Sequence, residues 1–160
     1  MHAHYRSPIG IVQVEETEGK ICAISVLDEE TEIVEPQTEV LESAILQLHE
    51  YFAGKRSLFD FPHHQTGTPF QQQVWQQLGK VEFGKTQSYL QMANAFGNPL
   101  AIRAIALANG KNKLWIVVPC HRIIGKNGEL TGYAGGLWRK KWLLQHEAKM
   151  VGKAQTELIF

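Results

Sequence analysis

The chain is poor in cysteine, with only Cys22 and Cys120 in 160 residues. Two cysteines without a secretory signal make no disulfide framework, so the fold has to stand on an apolar core. Long hydrophobic runs are missing as well. The opening Met1-His2-Ala3-His4-Tyr5-Arg6 has no apolar signal core, and no stretch is long enough to span a bilayer. A reducing, intracellular setting is therefore expected: cytoplasmic, or nuclear in a eukaryote. Net charge is also absent, since 16 Lys and Arg balance 16 Asp and Glu. Taken whole, that balance argues against a nucleic-acid partner. What remains is ordinary for a globular protein: 44% hydrophobic and 20% charged residues. The length suits one domain or a small domain packed on another.

The charge is not evenly spread. Between Lys85 and Lys141 stand Lys85, Arg103, Lys111, Lys113, Arg122, Lys126, Arg139, Lys140 and Lys141, with Glu129 as the only acid. Residues 1–84 are acidic by contrast, with 13 acids against five Lys or Arg. The asymmetry predicts a basic working face on the second half and reopens nucleic acid as a partner.

One stretch organises the basic half: Leu114-Trp115-Ile116-Val117-Val118-Pro119-Cys120-His121-Arg122-Ile123-Ile124. The apolar run Leu114–Val118 reads as a strand buried on both faces, and Pro119 marks its end. Cys120 would then sit at the strand's mouth beside an imidazole and a guanidinium, a setting that lowers a thiol pKa. A cysteine after an apolar strand is equally a packed small hydrophobe. The Cys-His pair acquires meaning only if the chain turns there, because neighbours on an extended chain point to opposite faces.

Elsewhere the pattern gives an α+β chain. Ile9–Glu16 alternates and Ile21–Leu27 is strand-like, with Thr17-Glu18-Gly19-Lys20 as a hairpin connection. Val40, Leu41, Ala44, Leu48 and Phe52 fall on a helical stripe, with Thr38 to cap it and Gly54 to end it. Leu58–Gly67 reads as a linker. Its His63-His64 invites a metal site with Cys22 and His2 or His4, but no C-x-x-C or H-x3-H spacing supports one, and no metal is expected.

Thr68-Pro69-Phe70-Gln71 is a helix start with a capping box and a first-turn proline, and Ser88-Tyr89-Leu90-Gln91 repeats the box. A short helix to Phe96, a stop at Gly97, and a second helix from Pro99 to about Asn109 resemble a helix-turn-helix. Arg103 is the only charge on that second helix. It is either a surface arginine or a group that enters a base stack or meets phosphate. Gly132-Tyr133-Ala134-Gly135-Gly136 is a glycine-rich loop that lets backbone N–H groups approach a ligand. The last helix is expected over Leu137–His146, closed by Glu147. That glutamate is either solvated or the partner that holds His121 in one tautomer.

Pro119-Cys120-His121-Arg122-Ile123-Ile124-Gly125, Gly132-Tyr133-Ala134-Gly135-Gly136, Trp142-Leu143-Leu144 and Glu147 together resemble the O6-alkylguanine-DNA alkyltransferases. The likeness covers at least Thr68–Glu147, and residues 1–67 fit that family's N-terminal domain more loosely. It implies a small N-terminal α/β domain with antiparallel strands and linker (1–67). A mostly helical C-terminal DNA-binding and alkyl-acceptor domain with the helix-turn-helix would follow (68–160).

The resemblance implies that Cys120 takes the alkyl group from O6-alkylguanine, and from O4-alkylthymine, in double-stranded DNA. His121, reached through a water and oriented by Glu147, would remove the thiol proton. Tyr89 would protonate the departing guanine, and Asn112 would order the turn before Cys120. Arg103 would fill the gap left by the flipped nucleotide. The backbone of Cys120 and Ile123 would read the guanine edge, and Ala134 N–H would bind O6 with Lys140 nearby. Tyr89, Asn98, Arg103 and Lys126 would meet the DNA backbone. Such proteins turn over once, as monomers, without a cofactor.

Two departures stand out. Many members carry serine at the position of Ala134, so a hydroxyl contact is lost and tolerance for larger alkyl groups is expected to shift. Many carry proline where this chain has Lys113, which is expected to loosen the turn. Two other readings remain. One is a non-catalytic alkyltransferase-like protein that binds damage, a class lacking the acceptor cysteine. The other is a thiol hydrolase built on Cys120, His121 and Glu147, indifferent to DNA.

Overall fold

The computed structural model describes residues 1–152. Residues 153–160, the end of the second expected domain, lie outside the described residues. The chain forms two compact units. The first holds residues 1–65 and 113–117, and the second holds residues 66–112 and the chain from 118 onward. The chain thus leaves the second unit just before the candidate thiol and returns to it at Val118.

The first unit is an antiparallel sheet in the order β1 (His2–Ser7), β2 (Gly10–Thr17), β3 (Lys20–Leu27). Glu18 (φ 52°) and Gly19 (φ 78°) both take positive φ. That is the two-residue hairpin turn whose twist matches the flanking strands. Helix α1 (Glu39–Phe52) packs on the sheet and buries Leu41, Ala44, Leu48, Tyr51 and Phe52 against Val12, Val14, Ile21 and Ile24. Thr38 Oγ1 caps it, accepting from Leu41 N at 3.2 Å. Strand β1 was not foreseen, because His2-Ala3-His4-Tyr5 offers only two apolar positions.

His4 is buried in this sheet with both ring nitrogens engaged. Nε2 lies 3.0 Å from Gln13 Oε1, and Nδ1 accepts from Val34 N at 3.0 Å. Cys22 Sγ donates to Glu15 O at 3.5 Å. Among the described residues no group of three or more His, Cys, Asp or Glu is arranged to hold a metal ion.

The expected strand Leu114–Val118 does not form. Only Leu114 pairs, with Ile24 of β3: Ile24 N donates to Lys113 O at 2.8 Å and Trp115 N to Ile24 O at 3.2 Å. The chain then folds through a γ-turn, in which Val117 N donates to Trp115 O at 2.8 Å around Ile116 at φ 74°. Five apolar residues in a row report burial; they do not report backbone shape. Lys113 supplies this stretch with a backbone donor. Its N–H donates to Gln65 Oε1 at 2.9 Å, a bond that proline could not make.

In the second unit α2 (Pro69–Leu78), α3 (Tyr89–Ala95), α4 (Ile102–Gly110) and α5 (Leu137–Met150) surround Val74, Leu78, Met92, Ala93, Ile105 and Leu143. Both expected capping boxes are present, Thr68 with Gln71 and Ser88 with Gln91. The short strands β4 (Gln87–Ser88) and β5 (Ile123–Ile124) pair in parallel. α3 and α4 form the helix-turn-helix: Gly97 turns the chain at φ 72°, and a 3-10 turn over Pro99–Ala101 leads into α4. Trp75 Nε1 donates to Ala108 O at 3.0 Å and ties α2 to α4. α5 runs past the expected end at His146 because Glu147 is a buried, paired group within it.

Candidate active site around Cys120

A pair of tight turns positions the thiol. Pro119 (φ −81°, ψ 64°) centres an inverse γ-turn in which Cys120 N donates to Val118 O at 2.8 Å. A 3-10 turn over Cys120–Arg122 follows, and the chain enters β5. Two asparagines, Asn109 near the end of α4 and Asn112 just after it, each grip one carbonyl of these turns. Asn112 Nδ2 donates to Val118 O at 2.9 Å, and Asn109 Nδ2 to Cys120 O at 3.4 Å. Cys120 itself is 5% exposed.

Behind the thiol lies a buried ionic chain. His121 is fully buried, with Nε2 2.7 Å from Glu147 Oε2. Arg122 holds the other side of that carboxylate: Nε donates to Oε1 at 2.8 Å and Nη2 to Oε2 at 3.2 Å. Arg122 Nη1 donates to Val81 O at 2.8 Å, and the guanidinium lies 5.5 Å from the Phe83 ring centroid.

This arrangement sets the protonation states. Burial works to raise the Glu147 carboxyl, but His121 and Arg122 outweigh it and hold the group well below the usual carboxylate range. Burial pushes the His121 imidazole down, against the pull of Glu147. The resting state is a carboxylate beside a neutral imidazole that donates from Nε2. Nδ1 is buried and has no hydrogen-bond partner among the described residues. Its lone pair is therefore available as a base.

Electrostatic interaction links Cys120 to Lys140, Tyr89 and Tyr133. Burial pushes the Cys120 thiol up; the Asn112 hydrogen bond and the Lys140 charge pull it only part of the way back. This corrects the expectation of a depressed thiol pKa, since desolvation outweighs the nearby cation. Lys140 is fully buried, donates from Nζ to Thr131 O at 2.8 Å, and is pushed down to about 8 by burial. Burial raises the Tyr89 phenol, with the Thr131 hydrogen bond opposing it. Tyr133 is raised well above its ordinary value, by burial first and then by Cys120 and Glu147.

Thus Cys120, His121, Glu147, Asn112, Tyr89 and Lys140 converge. Ile123 is buried next in chain, in β5. The other candidates lie outside this cluster. Arg103 is exposed on α4, and Lys126 is exposed in the turn after Gly125. Ala134 is exposed in the glycine-rich loop. Asn98 is exposed and caps the 3-10 turn, accepting from Leu100 N at 3.1 Å. Sequence reasoning missed three contributors: Arg122 as the clamp on Glu147, Asn109 on the Cys120 carbonyl, and the Thr131 carbonyl on Lys140. Only Arg122 carried a signal, by its place in Pro-Cys-His-Arg.

Two family models match. The 6-O-methylguanine DNA methyltransferase DNA binding domain covers residues 69–149, and the ribonuclease-like domain of the same name covers residues 1–64. The chain belongs to the 6-O-methylguanine DNA methyltransferase family. Among curated relatives, the constitutive methylated-DNA–protein-cysteine methyltransferase of Bacillus subtilis is 45% identical over 137 residues, 81% of this chain and 83% of its own length. That of Methanosarcina acetivorans is 40% identical over 151 residues, 91% of this chain and 97% of its own. That of Shigella flexneri is 51% identical over 106 residues, 66% of this chain but only 62% of the relative. The crystal structure of Mycobacterium tuberculosis O6-methylguanine methyltransferase matches with a TM-score of 0.83 at 37% identity, over 98% of this chain and 97% of that one. A crystal structure of Mycobacterium tuberculosis OGT in complex with DNA matches with a TM-score of 0.82 at 38% identity, over 93% of each chain.

Proposed function

We propose that this family member repairs double-stranded DNA by moving the alkyl group of O6-alkylguanine, and of O4-alkylthymine, onto Cys120. The observation that supports the reading is the buried Arg122–Glu147–His121 chain, which ends at an unpartnered imidazole nitrogen on the residue that follows a buried, protonated thiol. A thiol whose pKa is raised needs a base, and His121 Nδ1 is that base, acting through a bridging water. Glu147 compensates the imidazolium that forms, and Arg122 keeps the carboxylate in line.

In the transfer, Sγ bonds to the alkyl carbon as the bond from that carbon to O6 breaks. The electron pair moves onto the guanine, and Tyr89 supplies it with a proton. The Ala134 N–H receives O6, with the Lys140 charge close to the reacting sulfur. Asn112 fixes the turn that aims Cys120, and the Cys120 and Ile123 backbone reads the base edge. Arg103 holds the space vacated by the flipped nucleotide, while Asn98, Tyr89 and Lys126 seat the DNA backbone. A thioether is not readily hydrolysed, so each molecule acts once, as a monomer inside the cell, without a cofactor. The working division along the chain is residues 1–67 and 68–160, with residues 113–117 packed in the first unit.

Excess O6-methylguanine duplex, with repaired guanine counted against protein, tests this reading. A plateau at one repaired base per chain supports it. Product that climbs steadily beyond that ratio contradicts it.

A further inference from the structure

Asn109 is the next-to-last residue of α4 and has no role of its own in the transfer chemistry. It is 5% exposed, and its Nδ2 donates to Cys120 O at 3.4 Å. A carboxamide carries two N–H donors, and this bond uses one of them. The carboxamide oxygen is buried and has no hydrogen-bond partner among the described residues. Turning the amide over would not relieve it, because Oδ1 would then face the Cys120 carbonyl. A buried acceptor left unpaired is costly, and it marks a group held in place for another purpose.

The second donor has an acceptor close by. Asn109 makes a side-chain hydrogen bond to Tyr89, and so does Thr131. Burial raises the Tyr89 phenol, whereas both bonds lower it, Thr131 more than Asn109. A bond that favours the phenolate is one donated to the phenol oxygen. The unpaired Asn109 Oδ1 agrees, since the phenol gives it no hydrogen. Thr131 is exposed, yet its backbone is pinned: the fully buried Lys140 donates from Nζ to Thr131 O at 2.8 Å. Two donors thus meet the lone pairs of Tyr89 Oη, and the phenol's own hydrogen is left to point away from both.

We propose that Asn109 and Thr131 are positioning residues for the proton donor. Together they hold the Tyr89 oxygen as an acceptor, so that its hydrogen is free to be given to the departing guanine. Both donors also face the oxygen on which charge gathers as that proton leaves, so no rearrangement is needed at that moment. Because the same Asn109 amide holds the Cys120 carbonyl, one side chain aligns acid and nucleophile. The inference rests on the alkyl-transfer reading and adds the residues that aim its acid.

The test is a cycle with Tyr89→Phe, read as single-turnover transfer from an O6-methylguanine duplex at saturating DNA. Asn109→Leu and Thr131→Val should each lower the limiting rate of the parent by about fivefold or more, a share of what general acid catalysis contributes. In the Tyr89→Phe background the same changes should alter the rate by less than about twofold. Neither change should move the duplex concentration that gives half the limiting rate. Thr131→Val removes a hydroxyl from an exposed residue and leaves the carbonyl on Lys140, so it reports even where Asn109→Leu does not fold. A Thr131→Val rate equal to the parent's overturns the inference. So does a loss of equal size in both backgrounds, because Asn109 would then serve the Cys120 turn alone. Tyr89→Phe at the parent's rate overturns it too. Failure of the transfer reading looks different: the parent itself would bind the duplex and leave it methylated.

Discussion

At the scale of single residues, Glu147 decides both stability and chemistry. It is 1% exposed and accepts from His121 and from two nitrogens of Arg122. Glu147→Gln leaves the Arg122 guanidinium buried without its counter-charge, which costs about 3 kcal/mol or more. The same change should slow transfer by about 100-fold or more, because the imidazole loses the group that orients it and balances its charge. Thermal melts and single-turnover rates check the two effects separately. The pH sign follows from the depressed carboxyl. The unfolded chain binds that proton first, so stability is present above the ordinary carboxylate value and is lost as pH falls toward the folded one. Glu147→Gln should flatten the acid limb of stability against pH. An acid limb identical to the parent's would contradict the assignment.

Much of the candidate site could be read at this scale, but not its protonation. Adjacent Cys120 and His121 suggested a thiolate, yet burial keeps the thiol protonated, and burial depends on residues distant in sequence. Arg122 appeared in the sequence as a nearby cation. Its role as the clamp on Glu147 depends on α5 bringing residue 147 back to residue 122.

At the scale of elements, local chemistry was legible and tertiary pairing was not. Thr68 and Ser88 start α2 and α3 as their capping boxes require. Glu18-Gly19 makes the hairpin that its residue types allow. The run Leu114–Val118 misled because it is buried in turns, and a positive φ at a β-branched residue such as Ile116 has no sequence signature. Glu147 looked like a helix end because a charge there usually meets water.

Close packing at the entry to α2 gives a further check. A methyl group at Gly67 would lie 2.5 Å from Trp75 Cη2 and 2.8 Å from Gln71 Oε1, the capping-box side chain. Trp75 is itself fixed by its bond to Ala108 O. Gly67→Ala should therefore lower stability by about 1–3 kcal/mol in denaturant titration. An unchanged midpoint would show that the indole moves freely.

At the scale of the whole molecule, the charge asymmetry needs a correction. Of the nine cations between Lys85 and Lys141, Arg122, Arg139 and Lys140 are buried and serve the interior. In the second unit that leaves Lys85, Arg103, Lys111, Lys126 and Lys141 exposed, and Lys85 is paired with Glu82 at 2.9 Å. If these five are the cations that release counterions, the slope of log affinity on log salt should be no steeper than about −4.5. A steeper slope would mean that cations outside the Lys85–Lys141 stretch, such as the exposed Lys80 and Lys149, also meet the duplex. Within the first unit, β3 and Gln65 hold Lys113–Trp115, which stand five to seven residues before Cys120 in the sequence.

The central claim concerns one sulfur atom, and mass spectrometry weighs it directly. The protein is mixed with a duplex containing one O6-methylguanine, digested, and its peptides are compared with those of Cys120→Ser. The account predicts a gain of one methyl mass on the peptide carrying Cys120, none on the Cys22 peptide, and none anywhere in the serine variant. Unmodified Cys120 after the DNA has been repaired, or a methyl group on another residue, would contradict it.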